Sequence, residues 1–146
     1  MSHYFFDSSA LVKRYQMEDG SERVNSLLDK EQYLLISSVG IVEVCSVLNR
    51  LRNQKKMDQE TMEFARKQFL YDVRTRFFVV GLEGYRIAIA NNMVFSHNLT
   101  SFDAIQLASC VHIPGVPVDK TVFVSADRDL CDAAKEEGLQ TLNVLE

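Results

Sequence analysis

Four acidic side chains stand where chemistry could use them: Asp7, Glu43, Asp103 and Asp127. Asp7 follows the aromatic stretch HYFF (3–6) directly, and Asp127 comes two residues after TVFVS (121–125). Asp103 lies in the first turn of a predicted helix, LTSFDAIQLASCVHI (99–113). Glu43 sits in SSVGIVEVCSVLNR (37–50), with Val39, Ile41, Val42, Val44, Cys45, Val47 and Leu48 around it on every helical face. Each acid has a plain structural role open to it. Asp7 and Asp127 suit helix N-caps, and Asp103 suits a first helical turn beside the dipole. Glu43 suits a buried ion pair or an exposed stripe. Gathered together, four carboxylates would raise one another's pKa values and begin to protonate. A hard divalent cation removes that conflict. Mg²⁺ or Mn²⁺ takes oxygen ligands, one or two carboxylates with waters and phosphates completing the shell. The chemistry such a group suits is phosphodiester hydrolysis by a metal-activated water.

The elements that must position these acids follow from periodicity. HYFF (3–6), YLLIS (33–37), FFVVGL (77–82), TVFVS (121–125) and QTLNVL (140–145) read as strands. SSALVKRY (8–15), SERVNSLLDKE (21–31), the Glu43 segment, DQETMEFARKQFLYDVRTR (58–76), 83–95, 99–113 and 126–138 read as helices, several with apolar residues at i, i+3, i+4 spacing. IPGVPVDK (113–120) holds both prolines and reads as a loop. Strands alternating with helices predict an α/β fold on a mostly parallel sheet of about five strands. In such sheets ligands bind outside the carboxyl ends of the strands. The chain itself carries Asp7 and Asp127 there, and helix N-termini bring Asp103 and Glu43.

Bulk properties narrow the class. A length of 146 residues suits one domain, 1–146, and a hydrophobic share of 47% supports one sizeable core. No apolar run approaches a membrane span, and the N-terminus has no secretory pattern, so no membrane partner is expected. The three cysteines, Cys45, Cys110 and Cys131, are odd in number and lack metal-site spacing, which points to free thiols in a reducing cytoplasm. A net charge of −4 weighs against a nucleic-acid partner, yet the four acids alone account for it. Lys13, Arg14, Arg50, Arg52, Lys55 and Lys56 are candidates for phosphate contacts, or simply solvated charges. His3, His97 and His112 fall outside the acidic motifs and read as structural or surface residues.

YFFDSSALVKRY, SSVGIVEV, SFDAIQLAS and FVSADRDLCDAAKEEGL, in this order, resemble the PIN-domain family, and within it the VapC-type toxins of prokaryotic toxin–antitoxin pairs. The resemblance spans nearly the whole chain. It implies a PIN-like three-layer fold and a Mg²⁺- or Mn²⁺-dependent endoribonuclease. Asp7, Glu43, Asp103 and Asp127 would hold metal, with Ser9 and Ser125 supporting. Asp129 would be an auxiliary acid or an ordinary first-turn residue. RNA is the implied substrate, and a cognate antitoxin and a second copy in a homodimer are the implied partners. The 113–120 loop is longer than the family's usual connection, and either shapes substrate access or is neutral. Two other readings compete. A PIN-like module that binds RNA or protein with little cleavage has no physical reason to keep four acids together. A response-regulator-like domain needs an adjacent acidic pair before its first helix, whereas Asp7 stands alone.

Overall fold

The computed structural model describes residues 2–30 and 32–146. Met1, and Glu31 at the end of the predicted second helix, lie outside them. Five strands form one sheet: β1 (His3–Phe6), β2 (Tyr33–Ser37), β3 (Phe77–Val80), β4 (Thr121–Ser125) and β5 (Gln140–Asn143). Seven α-helices are found among the described residues: α1 (Ser8–Leu11), α2 (Ser21–Leu28), α3 (Ser38–Asn53), α4 (Gln59–Thr75), α5 (Gly84–Ser96), α6 (Ser101–Val111) and α7 (Arg128–Glu136). The predicted 8–15 helix is α1 followed by a 3₁₀ turn, Val12–Arg14.

The strand order is β3-β2-β1-β4-β5, and every pairing is parallel. Alternation along the strands explains the layers. Phe6, Leu34, Ile36, Val122 and Val124 face one core, shared with Leu11, Val24, Leu48 and Phe69 of α1 to α4. Phe5, Leu35, Val80 and Phe123 face the other, shared with Met93, Leu107 and Leu130 of α5 to α7. Helices thus cover both faces, as a parallel sheet requires. From β1 the chain steps outward through β2 to β3, then returns to β4 on the far side of β1. The switch point is therefore between β1 and β4, and a crevice opens at their carboxyl ends.

Two expectations are corrected, and one open alternative is decided. Strands read as 77–82 and 140–145 stop at Val80 and Asn143, because their neighbours stop at the paired Ser37 and Ser125. Apolar Leu82 extends the sequence pattern past the end of the ladder, while past β5 only the Val144 amide still reaches β4, donating to the Ser125 carbonyl at 2.9 Å. The Glu43 helix is not enclosed on all sides. α3 buries Gly40, Val44 and Leu48, while Val42 is 69% exposed. Finally, the 113–120 loop lies away from the acids. It runs into the start of β4, and Ile113, Pro114 and Val116 line a cavity with His3 and Tyr33, the first residues of β1 and β2. In a parallel sheet that end is opposite the carboxyl ends, so the loop does not shape access to the acidic crevice. Pro114 and Gly115 (φ +79°) make its turn, closed by the Val116 amide donating to the Ile113 carbonyl at 3.0 Å.

Candidate carboxylate site

Asp7 sits at the switch point itself. Its amide donates to the Val124 carbonyl at 3.0 Å, continuing the β1–β4 ladder by one residue. Its carboxylate, 3% exposed, is held by three donors. Oδ1 accepts from the Ser9 hydroxyl at 2.7 Å and the Ala10 amide at 3.1 Å, the latter an N-cap bond to α1. Oδ2 accepts from the Ser125 hydroxyl at 2.9 Å. Both serine hydrogens are thus spent on Asp7. Their oxygens in turn accept amides of the turn into α7: Ala126 to Ser9 at 3.0 Å and Asp127 to Ser125 at 3.0 Å. Burial nonetheless dominates the electrostatics. It pushes the Asp7 carboxyl up to about 6, against the lowering effect of these bonds, and the Asp103 charge adds to the rise.

Asp127 caps α7, with Oδ1 accepting from the Leu130 amide at 3.1 Å. The capping role and a ligand role are compatible, since a cap occupies one carboxylate oxygen. Asp103 lies in the first turn of α6 and is half-buried. Its pKa is raised by burial and then by Asp127, and lowered by the Thr100 hydroxyl. The Asp103 charge thus reaches Asp7, and the Asp127 charge reaches Asp103. Glu43 joins through α1: its Oε2 accepts from the Ser8 hydroxyl, and its Oε1 is buried with no hydrogen-bond partner among the described residues.

A polar latch fixes α3 against α6. Ser37 caps α3 by accepting the Gly40 amide at 2.9 Å, and its hydroxyl donates to Gln106 Oε1 at 3.1 Å. Gln106, three residues after Asp103, is 1% exposed, and its Nε2 has no partner. Gly40 lets the helices come this close. A Cβ there would stand 3.1 Å from Ile36 Cγ1 and 3.2 Å from Gln106 Nε2. The latch spaces the helix carrying Glu43 from the helix carrying Asp103.

A family model described as PIN domain matches residues 4–136. The chain belongs to the PIN domain family. Among solved structures, that of PAE2754 from Pyrobaculum aerophilum is similar at a TM-score of 0.67 and 19% identity, covering 99% of this chain and 86% of that one. At that identity the likeness shows the fold. No match is found among the curated proteins. PIN domains are typically nucleases and generally use divalent metal ions.

In this PIN domain the donor set fits such an ion: carboxylate oxygens only, one of them, Glu43 Oε1, buried and without a partner. The side chains are not drawn into a cage. Among the described residues no three acids, histidines or cysteines lie close enough to hold a metal. Asp129 is exposed and lines a separate groove with His97, Asn98 and Glu136. His97 bridges Glu136 at 3.0 Å and Glu137 at 2.7 Å, and His3 stacks on Tyr33 with ring centroids 4.7 Å apart. Lys13 and Arg14 are taken up by Glu18 and Asp29, and Arg52 by Asn49, Asn53 and Gln59. Arg50, Lys55 and Lys56 are exposed. Reading the sequence missed Ser8, Ser37 and Gln106. Ser8 left a signal in the doubled serine of DSS; Gln106 left one as the single polar residue in the AIQLAS stretch before Ser109.

Proposed function

We propose that this PIN domain is a metal-dependent endoribonuclease that hydrolyses RNA phosphodiester bonds, with Asp7, Glu43, Asp103 and Asp127 holding Mg²⁺ or Mn²⁺. The observation that carries the reading is Asp7. A carboxylate is buried at the strand-switch crevice, with its pKa raised and Asp103 adding to the rise. Capping α1 alone does not require a carboxylate to be buried at this depth. When bound, a divalent ion supplies a water of lowered pKa and a positive charge against the phosphate oxygens. The chain's own part is positional. Ser9 and Ser125 aim both Asp7 oxygens, Ser8 orients Glu43, and the Ser37–Gln106 latch sets the spacing of α3 and α6.

The proposed setting is a type II toxin–antitoxin pair, in which a cognate antitoxin inhibits the nuclease and the nuclease acts as a homodimer in the cytoplasm. The motif resemblance supports this, and the free thiols fit a reducing compartment. The alternative is a PIN module that binds RNA or protein and cleaves little; the observation on its side is that among the described residues no three acids, histidines or cysteines close into a cage. Cleavage of RNA by the purified protein with Mn²⁺, with EDTA, and with Asp7→Asn or Asp103→Asn separates the two. Activity abolished by chelation and by each substitution is expected; activity surviving them sinks the metal mechanism. Growth arrest on expression, relieved by the neighbouring reading frame, tests the toxin role.

A further inference from the structure

The outer face of α4 takes no part in the carboxylate site, and it has an unusual make-up. Phe64 is 71% exposed and Tyr71 55% exposed. They stand seven positions apart, so they share one helical face about 10 Å apart along the axis. Lys67 lies between them, and Arg74 follows one turn on, its guanidinium 5.8 Å from the Tyr71 ring centroid. With Gln68 and Leu70 these four line one open groove, and among the described residues no carboxylate lines it. In a chain of 20 acids and 16 bases, that is a local reversal of sign.

We propose that this groove binds single-stranded RNA, with bases stacked on Phe64 and Tyr71 and phosphates paired with Lys67 and Arg74. Aromatic rings interleaved with cations are the chemistry that holds an unpaired strand without reading its sequence. The rings stand too far apart to clamp one base, so each takes a different nucleotide. A duplex hides its base faces and is disfavoured here. A second copy docking stripe to stripe would set cations against cations. The face is held firmly from behind: buried Asp72 on α4 accepts the Tyr15 hydroxyl at 2.6 Å, and the Tyr15 ring packs edge-on against Phe69. That RNA is the natural polyanion rests on the ribonuclease reading above; binding itself needs no cleavage.

The test is fluorescence anisotropy of a labelled oligouridine with the full chain in EDTA, so that no strand is cut. Tyr71→Ala and Phe64→Ala are each expected to lower affinity by at least about fivefold, Tyr71→Phe to leave it intact, and a duplex of matched length to bind more weakly. Lys67→Glu with Arg74→Glu is expected to flatten the salt dependence. All four positions are exposed, and circular dichroism checks the fold. Unchanged affinity in both alanine variants overturns the proposal. So does competition by poly-glutamate as strong as by RNA, which would mark a surface for acidic proteins, or a dimer that the alanine variants convert to monomer. Loss of binding without any cleavage in Mn²⁺ would sink the nuclease reading and leave this one standing, and cleavage with unaltered binding would do the reverse.

Discussion

At Asp7 the fold and the proposed chemistry pull in opposite directions. Its folded pKa of about 6 lies above the ordinary 3.8, so the native state holds this proton more tightly than the unfolded chain does. The stability it contributes is fully present below about pH 3.8 and is lost as pH rises through about 6. The shift corresponds to about 3 kcal/mol. Without metal, urea denaturation of wild type and Asp7→Asn should therefore give curves whose difference moves by up to about 3 kcal/mol in the variant's favour between pH 4 and pH 7. A constant difference would mean that Asp7 is not strained by its charge. Glu43 gives a second test. Its Oε1 lacks a partner while Oε2 takes Ser8, so Glu43→Gln should keep the fold. It should weaken Mn²⁺ binding by roughly tenfold or more in calorimetry, the loss of one anionic ligand. Unchanged affinity would return Glu43 to a structural role. At this scale the sequence showed the acids, and the motif resemblance set Ser9 and Ser125 beside them, but Ser8 on Glu43 and the aim of each hydroxyl stayed hidden. Asp7 and Asp127 announce themselves by following strands; that the Ser9 and Ser125 hydrogens both end on Asp7 is a matter of side-chain orientation that spacing does not carry.

The elements were legible where residues within one segment decide them, and less so where a neighbour decides. YLLIS and TVFVS are strands by composition, and Asp58 and Asp127 mark the helix starts they cap. The end of β3 was not legible, because Ser37 of β2 ends it across the ladder. The position of the 113–120 loop was not legible either, since it depends on strand direction. Nor was the fit of α3 on α6, where Gly40 makes the sharpest prediction. Alanine is about 1 kcal/mol better than glycine inside a helix, so a free surface would make Gly40→Ala stabilising. The added methyl instead meets Ile36 Cγ1 at 3.1 Å and Gln106 Nε2 at 3.2 Å. The expected result is a net loss of about 1–3 kcal/mol by chemical denaturation. Gln106→Ala removes one of the two obstacles. The Gly40→Ala/Gln106→Ala double variant should accordingly be more stable than the two single losses predict. Strict additivity would show that Gln106 does not limit the approach of the helices.

Across the whole molecule the four site acids equal the entire net charge of −4, so a bound divalent ion changes the electrostatics of the chain and not of one residue. Metal and proton then compete for the same oxygens. If Asp7 must be ionised to bind, its pKa of about 6 sets the pH at which binding fails. One unit below that value about nine-tenths of it is protonated, and affinity should drop about tenfold, or about 1.4 kcal/mol of metal-linked stability. Thermal unfolding makes this measurable without any substrate. Mn²⁺ at a fixed concentration should raise Tm clearly near pH 7.5 and less near pH 5, because metal that binds only the native state stabilises it by mass action. The Asp7→Asn variant should gain little at either pH, because it has lost both the charge and the proton that competes for it. A Tm that ignores Mn²⁺ near pH 7.5 would mean that the acids are gathered for another purpose. A metal-induced rise of equal size at both pH values would instead place the ion on carboxylates that stay ionised throughout, away from Asp7 and the switch point between β1 and β4.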